Sequence, residues 1–161
     1  MTALKKHVVL LSGTVFYIGK IPGPGGTIGS CAVYGPAALL MYSGVSETLF
    51  NGIWAVTACI AVIMSVFVGR NASKVFGKAD PNEVVIDEVA GASLSLLFYP
   101  FRLEVGGIIL LFFLFRFFDI VKPFGIRKLE NIPDGFGIVM DDIGAGVIPL
   151  ALIHISRFVV L

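Results

Sequence analysis

The chain has 161 residues, a formal net charge of +1, 57% hydrophobic side chains and only 14% charged ones, with a mean hydropathy of +0.93. Ordinary soluble domains carry about 25% charged and about 45–50% apolar residues, so a soluble fold of this length would lack the polar side chains to cover its exterior. A single membrane-embedded domain over residues 1–161 is expected, with a soluble all-helical domain as the alternative. The near-neutral charge also leaves no basic excess to neutralise a nucleic-acid backbone.

Lys5 and Lys6 precede an apolar run from Val8 to Ile18. The run is too short to span and has no small-x-small cleavage site, so it reads as an interfacial or re-entrant segment kept in the mature chain. The rigid-then-flexible loop Ile21-Pro22-Gly23-Pro24-Gly25-Gly26 then opens an uncharged stretch to Ser46, the first span, and Gly52–Gly69 is the second. Asp80-Pro81-Asn82-Glu83 has the form of a helix start, with Pro early and acids in the first turn. It leads into a third span, Val84–Tyr99, ended by Pro100. Val105–Val121 is the fourth span, ended by Pro123, and the turn Pro133-Asp134-Gly135 precedes the fifth, Phe136–Leu161. The expected fold is all-α: a polytopic membrane bundle of about five transmembrane helices plus the short N-terminal segment. Cys31 and Cys59 have neither zinc-site nor disulfide spacing and read as packing residues.

With five spans, one side of the membrane holds Lys5, Lys6, Lys20, Arg70, Lys74, Lys78, Lys122, Arg127 and Lys128, and the other only Arg102 and Arg157. That bias assigns the first side to the cytoplasm. The same parity collects the ionisable residues that penetrate the spans. Thr27 and Ser30 start span one, Asp87 and Glu88 start span three, Arg116, Asp119 and Lys122 end span four, and Asp141 and Asp142 start span five. Charges inside a membrane are costly and mark functional paths or sites. Five carboxylates crowded at one depth repel unless a cation joins them, and oxygen-only ligands select a hard ion such as Mg²⁺. Arg116, Lys122 and Arg127 supply positive charge for an anionic substrate. The stretch Gly25–Ser30 can aim backbone N–H groups and hydroxyls at an anion. Together these describe phosphoryl chemistry. Gly91, Ser95, Gly144 and Gly146 flank the acids and allow close helix approach.

Several covalent routes lack their residues. Cys31 is followed by Ala37 where a Cys-x5-Arg phosphatase needs arginine, Asp87 by Val89 where an Asp-x-Asp phosphatase needs aspartate, and His7 and His154 stand alone. Direct attack by a metal-activated water is the simplest remaining mechanism.

Four linked motifs, in order, resemble the phosphatidylglycerophosphatase A family. They are Gly26-Thr27-Ile28-Gly29-Ser30, Val85-Ile86-Asp87-Glu88-Val89-Ala90-Gly91, Phe115-Arg116 through Asp119 to Lys122-Pro123 with Ile126-Arg127, and Gly135-Phe136-Gly137 through Asp141-Asp142 to Ala145-Gly146. One departure is Gly25 where the family commonly has Pro before Gly-Thr, Pro24 standing one residue earlier. The resemblance implies a Mg²⁺-dependent lipid phosphatase of the bacterial inner membrane that converts phosphatidylglycerophosphate to phosphatidylglycerol and inorganic phosphate. On that basis Asp87, Glu88, Asp119, Asp141 and Asp142 are expected to bind one or two Mg²⁺ ions, with Asp87 or Asp119 taking the proton of the attacking water. Arg116, Lys122 and Arg127 would hold the phosphates, assisted by Thr27 and Ser30. The competing readings are a CDP-alcohol phosphotransferase, whose clustered Asp-Gly…Ala-Arg motif is absent in one piece, and a proton or cation transporter using the same acids.

Overall fold

The computed structural model describes residues 1–78 and 81–159, and the side chains of all of these except 102 and 156–159. The expectations resting on Asp80, Leu161 and the Arg102 and Arg157 side chains lie outside the described residues. The α-helices are α1 (Ala3–Gly13), α2 (Gly25–Tyr42), α3 (Glu47–Gly69), α4 (Ala72–Phe76), α5 (Ile86–Ser95), α6 (Glu104–Val121) and α7 (Gly137–Val159). Short 3₁₀ turns occupy Ile18–Lys20, Phe101–Leu103 and Ile126–Asn131, and there is no strand among the described residues.

Among the described residues, two helices are long and apolar enough to cross a membrane, α3 and the Gly137–Ile155 part of α7. Ser46 caps α3, its Oγ accepting the Leu49 N–H at 3.3 Å. Apolar side chains also point outward: Val56, Ile60 and Ile63 on α3 and Ile109, Phe113, Phe117 and Ile120 on α6 are all exposed. An exterior of this kind is unusual on a soluble monomer.

The expected third span is the main departure. Residues 84–99 form only the ten-residue α5, about 15 Å long against a hydrocarbon core of about 30 Å. The helix starts at Ile86 and not beside Pro81, because Val85 leaves helical geometry and gives its N–H to Gly13 O at 2.9 Å. The Pro-Asn-Glu pattern makes a single turn, with Val84 N–H on Pro81 O at 2.9 Å, and the tertiary partner of the Val85 amide stops that turn from continuing as helix. Ala90, Gly91, Ala92, Ser93 and Ser95 are all buried, and α2, α3, α6 and α7 pack around them. α5 is therefore a half-length helix at the centre of the bundle. Its far end is tied in by a buried hydrogen bond between the Tyr34 and Ser95 hydroxyls, 2.6 Å.

The regions that the charge count placed on one side do meet. Besides the Gly13–Val85 bond, Gly19 lies so close to the Glu83 carbonyl that a Cβ would come within 2.1 Å of it. Arg70 Nε donates to Asp134 O at 2.9 Å, with Gly69 packed against Gly135. The N-terminal turn, the α4–α5 connection and the α6–α7 loop thus close one end of the bundle.

Candidate active site

Two glycines decide how the acids come together. A Cβ on Gly91 would lie 2.3 Å from the Asp142 carbonyl oxygen, and a Cβ on Gly146 would lie 2.3 Å from Gly91 O. Only hydrogen at both positions lets the α5 and α7 backbones touch, which carries Asp142 to the first turn of α5. Asp87 and Glu88 sit in that turn, where the helix dipole favours negative charge. Ligand oxygens of Asp87, Glu88 and Asp142 lie within 4.8 Å of one another, as do those of Asp119, Asp141 and Asp142. Asp142 belongs to both groups.

The cations are bound to this cluster. On α6, Arg116 Nη1 donates to Asp119 Oδ2 at 2.5 Å, one turn away. Lys122 adopts the left-handed conformation (φ 48°, ψ 52°) that ends α6. Its ammonium donates to Asp141 Oδ2 at 2.5 Å and Glu130 Oε1 at 2.6 Å. Burial alone would lower the Lys122 pKa, but these hydrogen bonds outweigh it and hold the group above the usual lysine value.

Even so, Glu88 Oε2, Asp141 Oδ1, Asp142 Oδ1 and Arg116 Nε are buried with no hydrogen-bond partner. A buried carboxylate oxygen without a donor costs about 1–3 kcal/mol or more. These three carboxylates belong to the two acid groups, and an oxygen-only donor set with unpartnered oxygens fits a divalent cation such as Mg²⁺. A recess of about 680 Å³ is lined by Asp87, Glu88, Arg116, Lys122, Asp141 and Asp142 together with Gly23–Gly26 at the start of α2. Gly26 makes room for the Glu88 carboxylate and the Arg116 guanidinium: a Cβ there would lie 2.6 Å from Glu88 Oε1 and 2.7 Å from Arg116 Nη1.

Of the residues expected at the site, the structure brings together Asp87, Glu88, Arg116, Asp119, Lys122, Asp141 and Asp142. Three others stand apart. Ser30 is fully buried and its Oγ donates to Gly26 O in its own helix. Thr27 is half-buried and does not line the recess, and Arg127 is exposed on the Ile126–Asn131 turn, also off it. Glu130 and Asn82, which sequence reasoning passed over, line the recess. Nothing in their local sequence marks them, since each arrives through the folding of a loop. Ser95 holds Tyr34, and Gly144 packs on Leu129 and Ile126 away from the acids.

An all-helical bundle whose closed end joins paired acids, arginine and lysine around one recess offers carboxylates that could hold a metal ion beside cations that could meet an anionic substrate. The comparisons with known proteins give the family. The family profile of Phosphatidylglycerophosphatase A matches residues 11–157. A protein of Bacteroides thetaiotaomicron, provisionally named a phosphatidylinositol-3-phosphatase, is 34% identical over 155 residues, 94% of each chain. The Phosphatidylglycerophosphatase A of Haemophilus influenzae is 32% identical over 107 residues, covering 66% of this chain and 65% of its own. That of Escherichia coli K12 is 28% identical over 106 residues, covering 63% and 59%. No solved structure matches the chain. The chain belongs to the phosphatidylglycerophosphatase A family and is a phosphatase.

Proposed function

We propose that this phosphatase hydrolyses the terminal phosphomonoester of phosphatidylglycerophosphate to phosphatidylglycerol and inorganic phosphate. It does so as a multi-pass protein of the bacterial inner membrane, with the recess facing the cytoplasm. The observation that carries the reading is Asp142, shared by two carboxylate sets and lining the same recess as Arg116 and Lys122. The nine cations against two support the cytoplasmic orientation, and the apolar outer faces of α3 and α6 support insertion in the bilayer.

Asp87, Glu88, Asp119, Asp141 and Asp142 are the residues that would hold one or two Mg²⁺ ions. When bound, Mg²⁺ polarises phosphoryl oxygens and acidifies water. The chain's own groups do the rest. Arg116 and Lys122 offset charge on the phosphoryl oxygens as the water oxygen bonds to phosphorus and the ester P–O bond breaks. Asp87 lines the recess and takes the water's proton. Asp119, held by Arg116, positions that guanidinium. The glycerol oxygen leaves with the bonding pair and is protonated, giving phosphatidylglycerol. Arg127, Thr27 and Ser30 act at most around the recess and not on the reacting phosphate.

A second reading follows from the Bacteroides relative, whose name gives a phosphoinositide as substrate and which aligns over 94% of both chains. In detergent, purified protein is offered phosphatidylglycerophosphate, phosphatidylinositol 3-phosphate, and CDP-diacylglycerol with an alcohol acceptor. Inorganic phosphate and phosphatidylglycerol from the first at the highest kcat/KM support the proposal. A preference for the phosphoinositide transfers it to the second reading, and nucleotide release from the third would sink both.

A further inference from the structure

A second recess, of about 480 Å³, adjoins the first and shares Gly23 and Asn82 with it. Lys20 lines it, and among the described residues no acid pairs with Lys20. That differs from Arg116 and Lys122, whose charges are committed to Asp119, Asp141 and Glu130.

The turn that presents Lys20 is built at some cost. Val15, Phe16 and Tyr17 are three consecutive non-glycine residues with positive φ (46°, 54° and 69°), a conformation that is unfavourable for side chains with a Cβ. It is held by the buried Thr14, whose Oγ1 accepts the Tyr17 N–H at 3.0 Å, and by Gly19 N–H donating to Thr14 O at 2.9 Å. The Tyr17 ring then lies under the Lys20 ammonium, 5.3 Å from the nitrogen. Gly19 against the Glu83 carbonyl and Val85 N–H on Gly13 O fix the turn to the residues that lead into Asp87 and Glu88. Lys20 thus has no acid partner among the described residues and stands on a turn tied to the segment that leads into Asp87 and Glu88, and exposed Phe16, Tyr17 and Ile21 flank it with apolar surface.

We infer that this second recess is a subsite for the inner phosphodiester of a lipid whose outer phosphomonoester occupies the main recess, with Lys20 as its cation. The inference rests on the proposed lipid-phosphatase function and narrows it to lipids carrying two phosphates across a polyol. Such a molecule reaches from one recess to the other over Gly23 and Asn82. The exposed Glu83 carboxylate at the edge accepts polyol hydroxyls, and the acyl chains leave past Phe16 and Ile21. Lys20 is a specificity residue, not a catalytic one.

The test compares wild type, Lys20→Gln and Lys20→Arg in detergent, with phosphatidylglycerophosphate as substrate and glycerophosphoglycerol as a soluble diester inhibitor. Expected for Lys20→Gln are a KM raised about tenfold, a kcat within about twofold, and inhibition by glycerophosphoglycerol weakened to the same degree. Lys20→Arg restores all three. An unchanged KM, or a loss confined to kcat, overturns the subsite while leaving the phosphatase reading intact. If wild type releases phosphate only from phosphatidylinositol 3-phosphate, which also carries an inner diester, the same KM shift is expected there and its absence overturns the subsite. Wild type that acts on phosphatidic acid but on neither diester-bearing lipid overturns the subsite and the substrate assignment together.

Discussion

Gly91→Ala tests whether the α5–α7 contact assembles the site. The added methyl would lie 2.3 Å from the Asp142 carbonyl oxygen and 2.8 Å from both Asp142 C and Phe115 Cε2, whereas ordinary contact begins at 3.4 Å. Two of those three atoms are backbone, so no rotamer change relieves the clash. α7 must withdraw from α5 by about 1 Å at the residue shared by both carboxylate sets. Overpacking of this kind costs about 1–3 kcal/mol, and a 1 Å misplacement of reacting groups costs about a hundredfold in rate. Gly52→Ala is the control, because nothing lies within 4 Å of its added Cβ and alanine is the better helix former by about 1 kcal/mol. Phosphate release and thermal unfolding are measured in the same detergent. The expected result is a folded Gly91→Ala protein with a lower Tm and about a hundredfold lower kcat, beside a Gly52→Ala protein at least as stable as wild type. Gly91→Ala with wild-type kcat would refute the claim that this contact sets the acid geometry.

Asp142→Asn, which weakens both carboxylate sets at once, is expected to lower kcat by at least about a thousandfold with helicity by circular dichroism retained; a loss under tenfold would remove Asp142 from the centre. The two partners of Lys122 are unequally buried, Asp141 at 9% side-chain exposure and Glu130 at 45%. Glu130→Gln is therefore expected to cost less than about threefold in kcat/KM, while Lys122→Met, which strands the buried Asp141 charge, costs far more and destabilises the fold. The reverse order in a kinetic comparison would show that Glu130 is the working partner. Asp119→Asn is expected to abolish turnover without unfolding the protein, and near-normal turnover would take Asp119 and its grip on Arg116 out of the mechanism.

Which parts of this were legible in the sequence follows from where the information lies. The acid pairs, Arg116 and Lys122 were legible because charges in apolar helices stand out, and because helix parity alone assigns them to one end. Gly91 and Gly146 were legible as close-approach positions, and the structure shows them touching. The length of α5 was not legible. Its alanines and serines read as a membrane segment in hydropathy, but they are small so that four helices can surround it. The start of α5 was misplaced because its leading amide is satisfied by Gly13, more than seventy residues earlier in the chain. Ser30 carries the right chemistry at the right depth, yet a helix hydroxyl has its own carbonyl one turn back as a ready partner, and it takes Gly26 O. Glu130 and Lys20 escaped because loop geometry, which periodicity does not encode, brings them to the recesses.

In the proposed function, the carboxylate cluster works through a hard divalent cation on a lipid phosphomonoester. The most direct measurement is phosphate release from phosphatidylglycerophosphate by wild type and Asp87→Asn, titrated with Mg²⁺ after chelation. No release is expected from chelated wild type, with full recovery in Mg²⁺ and weaker recovery in Zn²⁺. Asp87→Asn should stay inactive at Mg²⁺ concentrations that saturate the wild type. Undiminished release in excess chelator, or an Asp87→Asn protein that turns over at the wild-type rate, would contradict it.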